Sequence, residues 1–101
     1  MNKRRSNTQY LFQVDLRPQS ELRGVALLGH QKLAELHENI SEMLNQSSRV
    51  PFCFHSGNVE IKEGMRLDDL NLRVGQTFEY MVNSIDGHRH KTITVDFIDN
   101  E

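Results

Sequence analysis

Residues 78–97 read FEYMVNSIDGHRHKTITVDF, and they carry the strongest β-strand pattern of the chain. Apolar and polar side chains alternate on both sides of Asp86-Gly87, a dipeptide typical of a two-residue type I′ turn between paired strands. Counting outward from that turn places Tyr80 opposite Ile93. Because directly opposed residues share a face, the hairpin is predicted to have one apolar face made of Phe78, Tyr80, Val82, Ile93, Val95 and Phe97. The polar face carries Glu79, Thr92, Thr94 and Asp96.

Upstream of the hairpin the same period of two recurs. Apolar residues alternate over residues 8–16, which predicts a half-buried strand with Tyr10, Phe12, Val14 and Leu16 inward. Residues 17–20 contain Pro18 and predict a turn, and residues 22–28 form a second extended segment. Short strand pieces are expected at 52–54 and 59–61, and a turn or single helical turn at 67–70.

One convincing helix is predicted from His30 to Asn45. Its apolar stripe recurs at steps of three and four residues and consists of Leu33, Leu36, His37, Ile40, Met43 and Leu44. A helix lying across one face of an antiparallel sheet buries both apolar stripes. The sequence therefore predicts an α+β fold, a mainly antiparallel sheet in the order β-β-α-β-β-β with one main helix on one face, roll-like in shape.

Length and composition indicate a single domain over residues 1–101, in which residues 1–7 form a flexible basic arm. Its 37% hydrophobic and 26% charged residues are ordinary for a globular domain. The chain has one cysteine, Cys53, which cannot form an internal disulfide and fits a reducing compartment. It lies between Phe52 and Phe54, a setting typical of a buried, inert small hydrophobe. A soluble, cytoplasmic protein is the resulting prediction.

The five histidines are the candidate residues for metal binding or catalysis. His88 and His90 are two residues apart, so in a strand they point to one face and are spaced to share a metal, with Asp86 and His55 completing the site. The alternative is that these residues form a solvated hairpin end that binds no metal. His37 lies on the apolar helix stripe, where a histidine is more often a hydrogen-bonded core residue than a ligand.

Other catalytic patterns are missing from the sequence. It has no G-x-S-x-G elbow, no Walker-type loop and no G-x-G-x-x-G, so neither a nucleophilic site nor a cofactor is predicted. The adjacent carboxylates Asp68 and Asp69 suit turn capping. The basic run Lys3, Arg4 and Arg5 is a candidate for phosphate contact, although three such residues are more often a frayed terminus.

The helix and hairpin together resemble the Ri-plasmid open-reading-frame-three-like family, small α+β domains met on plasmids and beside transposase genes. The likeness runs through the strand, Pro18 turn and second strand. It continues in Leu33-Ala34-Glu35-Leu36-His37-Glu38-Asn39-Ile40, Phe52-Cys53-Phe54-His55, Leu67-Asp68-Asp69-Leu70 and Phe78-Glu79-Tyr80. Of the family's aspartate-rich turn the chain keeps Asp86 and His90 and lacks the first Asp, the Phe-Gly pair and the Trp. The resemblance implies the fold and a mobile-element setting, and no defined reaction.

The leading functional hypothesis is a small non-catalytic binding or adaptor module, encoded on a mobile element or phage and acting through a protein partner. A metal-dependent hydrolytic enzyme using His55, Asp86, His88 and His90 is the second. A nucleic-acid-binding accessory protein using the basic arm is the third. A homodimer through sheet extension is plausible if the strand at residues 10–16 or the last strand is an edge.

Overall fold

The computed structural model describes residues 8–18, 20–84 and 87–100, and no side chain from 84 to 89 is described. Six strands and one α-helix occur in this part of the chain. In chain order they are β1 (Gln9–Asp15), β2 (Leu22–Leu28), α1 (Ala34–Met43), β3 (Phe52–Ser56), β4 (Val59–Ile61), the 3-10 helix η1 (Leu67–Leu70), β5 (Thr77–Ser84) and β6 (Gly87–Asp99). The strands form one antiparallel sheet in the order β2-β1-β6-β5-β3-β4. The α+β class and the antiparallel sheet are confirmed.

The predicted order lacked one strand. The short strand pieces expected at 52–54 and 59–61 form two separate strands, because the chain reverses at Gly57, whose φ of 64° is a conformation that favours glycine. Neither of the two strands considered as a possible edge is one. Strands β1 and β6 both have neighbours on either side, and the edges of the sheet are β2 and β4. The roll-like shape stays a prediction.

The register of the β5–β6 hairpin differs from the one counted outward from Asp86-Gly87. Ser84 pairs with Gly87 and Phe78 with Ile93, so Tyr80 faces Lys91 instead of Ile93. Residues 85 and 86 lie outside the described part of the chain. The difference amounts to two residues, and because side chains alternate with a period of two, Phe78, Tyr80, Val82, Ile93 and Val95 keep their predicted face.

The core lies between α1 and one face of the sheet. All four predicted inward residues of β1 are buried, and so are Phe78, Tyr80 and Val82 of β5 and Ile93 and Val95 of β6. From the helix, Leu36, His37 and Ile40 are buried against them. In the 3-10 helix, which forms at the helical turn predicted for residues 67–70, Leu67 is buried and Leu70 packs against the core.

The helix is shorter than predicted at both ends. At its start Lys32 forms an isolated bridge with Arg66, and the carbonyl groups of Met65 and Glu63 accept hydrogen bonds from the N–H groups of Leu33 and Ala34. At its end Asn45 adopts a left-handed conformation with φ of 55°. The N–H groups of Asn45 and Gln46 then donate to the carbonyls of Glu42 and Ser41, which is the Schellman arrangement that closes a helix.

Candidate functional site

One face of the sheet is not covered by α1, and we call it the open face. The register places three of its side chains in one row across neighbouring strands: Leu11 of β1 pairs with Ala26 of β2 on one side and with Phe97 of β6 on the other. Ala26 is exposed and Leu11 is half-buried. The row is therefore a continuous apolar strip across three strands.

Phe97 reaches the open face because β6 contains a bulge. Leu11 pairs with Phe97 but Phe12 pairs with Val95, so Asp96 is an extra residue without a counterpart in β1. An extra residue reverses the side-chain alternation beyond it. Phe97, predicted to lie in the core, is accordingly 54% exposed, while Ile98 turns inward and packs against the core.

The apolar strip extends along β2. Leu22 and Leu28, at the two ends of this strand, lie on the open face and are 47% and 39% exposed. Leu11 leans over Gly24, where an added methyl group would lie 3.5 Å from its Cδ1 atom. We define the open-face patch as Leu11, Leu22, Ala26, Leu28 and Phe97.

Two of the predicted metal ligands also lie on the open face. His55 of β3 pairs with Glu79 of β5, whereas His90 of β6 pairs with Met81 of β5, two residues further along. The intervening strand and this offset separate their Cα atoms by about 12 Å, from a strand spacing of ~4.8 Å and a rise of ~3.4 Å per residue. The sheet therefore places them on one face without bringing them side by side.

The rest of the predicted metal site is not described. Asp86 lies outside the described residues, and for His88 the structure gives only the backbone pairing with Asn83. Among the described residues no group of three or more His, Cys, Asp or Glu is arranged to hold a metal ion. The site made of His55, Asp86, His88 and His90 stays a prediction. The candidate nucleic-acid contacts Lys3, Arg4 and Arg5 also lie outside the described part.

His37 is a hydrogen-bonded core residue. Its Nε2 lies 2.8 Å from the carbonyl oxygen of Ser48 and its Nδ1 lies 2.7 Å from the Tyr80 hydroxyl oxygen. A carbonyl only accepts, so Nε2 carries the proton and, in the neutral ring, Nδ1 accepts from Tyr80. The ring also stacks on Phe52, with centroids 3.6 Å apart and an interplanar angle of 7°.

The Tyr80 hydroxyl connects this histidine to the end of the helix. It accepts a hydrogen bond of 3.1 Å from the Gln46 amide, which also donates to the Ser41 hydroxyl. Burial raises the pKa of Tyr80. These contacts join the helix to the centre of the sheet through the His37 ring, the Tyr80 hydroxyl and the Gln46 amide.

A second polar contact, which is partly buried, joins β1 to η1. The Tyr10 hydroxyl donates to Asp68 Oδ1 at 2.9 Å. Burial, helped by this bond and by the negative charge of Asp68, raises the pKa of Tyr10 to about 12. Lys91, also buried, donates from Nζ to the carbonyls of Leu16 and Arg17 and so ties β6 to the turn after β1.

Cys53 was predicted to be buried, and this prediction is wrong. It lies on the open face of β3, paired with Met81, and is half-buried, because the helix packs on the other side of the strand. It lines a shallow apolar hollow with Pro51, Phe52, Met81, Val82 and Asn83. Desolvation, and then the charges of Glu60 and Glu63, raise the pKa of its thiol. A raised pKa disfavours the reactive thiolate.

No protein-family model, curated protein or solved structure matches the chain. The resemblance to the Ri-plasmid open-reading-frame-three-like family accordingly stays a prediction. None of the helices in the described ranges has the length and apolar character that crossing a membrane requires.

Proposed function

We propose that this chain is a small non-catalytic binding module that contacts a protein partner through the open-face patch. The observation that carries this proposal is the bulge at Asp96, which turns the aromatic ring of Phe97 out of the core. Bulges that re-aim a side chain are over-represented near functional sites. A ring more than half exposed beside other apolar side chains is costly to leave in water.

The composition of the patch supports a protein as the partner. Aromatic residues are enriched at the centre of protein interfaces, where they supply large contact areas with little loss of side-chain freedom. Here one phenylalanine lies directly opposite Leu11, and Ala26 lies beyond Leu11 in the next strand. The neighbouring row of the open face is small and polar, since Gln13 pairs with Gly24 and Thr94. An apolar strip bordered by polar residues has the layout of a compact protein-binding surface.

The test is affinity capture of the tagged protein from its host with two matched variants. Phe97→Lys removes the aromatic ring of the patch at an exposed position, so its stability should stay within ~0.5 kcal/mol of the wild type. Val59→Lys is the control, because Val59 is 68% exposed on β4 at the other side of the sheet. A stoichiometric protein retained by the wild type and by Val59→Lys, and lost with Phe97→Lys, supports the proposal.

Two results would overturn it. One is a wild-type capture without any stoichiometric protein. The other is a partner that Phe97→Lys retains as well as the wild type does. The sequence-based alternatives have their own readouts: bound metal lost on replacing His55 and His90 for the hydrolytic enzyme, and salt-sensitive nucleic-acid binding lost on replacing Lys3, Arg4 and Arg5 for the accessory protein. The mobile-element origin and cytoplasmic location stay predictions.

A further inference from the structure

Strand β2 is an edge strand, so the backbone groups on its outer side point away from the rest of the sheet. Within the described residues β1 is its one neighbouring strand. The N–H of Leu28 does not donate to β1: it donates to the side-chain Oε1 of Gln31 at 2.7 Å, and the Leu28 carbonyl accepts from the Gln31 N–H at 2.9 Å. Because backbone groups alternate in an antiparallel strand, those of Gly24 and Ala26 also point away from β1.

The side chains along this edge are suited to a second strand of the same sequence. Strand β2 reads LRGVALL, and with a two-fold axis at Val25 an antiparallel copy lies opposite it, although Leu28 takes no part in the backbone pairing because Gln31 occupies its outward N–H and carbonyl groups. Gly24 then faces Ala26 of the partner copy, and both have outward-pointing backbone groups. Each such pair exchanges N–H···O=C bonds in both directions.

The same register brings the exposed leucines together. Leu22 of one copy lies opposite Leu28 of the other on the open face, and the pair is repeated by the two-fold axis. These are two of the exposed large apolar residues of the chain, and mutual packing would remove them from water. On the other face Arg23 lies opposite Leu27, so no like charges meet. A net charge of −2 per chain gives little long-range repulsion.

We infer that two copies of this chain pair antiparallel through β2 and join their sheets into one continuous sheet. This pairing goes beyond the proposed binding function, since it requires no other protein. A two-fold axis perpendicular to the sheet keeps the open faces of both copies on one side, so the dimer would present two Phe97 rings on the same surface. A strand-to-strand contact is small, and the dimer is expected at the weak end of specific association.

The experiment measures the molar mass of the purified full chain over a concentration series, by sedimentation equilibrium. The expected result is a reversible rise from 11.8 kDa toward twice that mass. Ala26→Pro removes an N–H that points away from β1, so it should weaken the dimer about tenfold or more and leave the pairing with β1 intact. Leu28→Lys tests the leucine contact, and Val59→Lys on the other edge serves as the matched control and should leave the dimer unchanged.

Circular dichroism of each variant establishes that it is folded. If Ala26→Pro fails to fold, Leu28→Lys and Leu22→Lys carry the test, because both replace exposed side chains. A chain that stays monomeric at every concentration overturns the inference. So does a dimer that these edge variants leave unchanged, one that Val59→Lys dissociates, or a series of ever larger species. Since no lysate is used, failure here is distinguishable from failure of the capture experiment.

Discussion

The hydroxyl of Tyr80 and Nδ1 of His37 lie 2.7 Å apart in the core, although the two residues are 43 positions apart in the chain. The helix and the centre of the sheet are thereby joined by a hydrogen bond between two buried side chains. A buried hydrogen bond matters for stability because a polar atom that loses its partner still carries the desolvation penalty of burial.

Tyr80→Phe is expected to destabilise the fold by about 1–3 kcal/mol, because it leaves Nδ1 of His37 and one contact of the Gln46 amide unsatisfied. Urea unfolding measures the loss as a lower midpoint with an unchanged slope. The matched control is Tyr10→Phe, whose hydroxyl bonds a partly buried carboxylate that water can reach. Equal losses in the two variants would contradict the role assigned to the His37 contact.

Tyr10 is expected to make stability depend on pH in alkaline solution. Its pKa is about 12 in the folded protein against an ordinary value of 10.0, so the folded state holds the phenolic proton more tightly. That stabilising contribution is fully present below pH 10 and is lost as the pH rises through 12. The free energy of unfolding should fall over this window, and it should fall less steeply in Tyr10→Phe. Parallel profiles for the two proteins would show that Tyr10 does not contribute.

Gly29→Ala is expected to be strongly destabilising, because a methyl group at Gly29 would overlap the carboxylate of Asp68. Gly64→Ala is the control, since nothing lies within 4 Å of a methyl group there. Thermal unfolding should show a large decrease in Tm for the first variant and little change for the second. Combining Gly29→Ala with Asp68→Ala should recover part of the loss, and strict additivity of the two changes would argue against a steric conflict.

Asn45→Gly is expected to stabilise the protein slightly, by a few tenths of a kcal/mol to about 1 kcal/mol, because Asn45 has a φ of 55° at the helix end. The control, Asn39→Gly, places the same residue inside the helix, where glycine costs about 0.5–1 kcal/mol relative to alanine, and Asn39 also loses its hydrogen bond to the Glu35 carbonyl. Chemical denaturation should therefore move the two midpoints in opposite directions.

Alternation along the chain predicted most of the core because burial of one face imposes a period of two on a strand. The inward residues of β1 and β5 follow that rule without exception, and His37 follows the helical period. Phe97 breaks the rule, since the bulge before it is an extra residue in one strand opposite a particular point of another. Nothing in Val95-Asp96-Phe97 signals it.

The strand order could not be predicted from the sequence either, because it depends on which distant segments of the chain pair with each other. The interior position of β1, between β2 and β6, joins the first strand of the chain to the last. The open-face patch depends on both the bulge before Phe97 and the strand order, neither of which was predicted. The sequence therefore indicated the histidines as the candidate site instead. Two of these histidines, His55 and His90, do lie on the open face, but neither belongs to the open-face patch.

The two edges of the sheet are unequal in length, and this inequality would limit an assembly built by sheet extension. At one edge β2 offers seven residues, and at the other β4 offers three. Gln31 occupies the backbone of Leu28 and so fixes where the longer edge stops. Two chains joined through β2 would carry a three-residue strand at each outer margin, too short to template a third chain. The association would terminate at a closed pair, and the architecture that permits sheet extension also prevents a fibre.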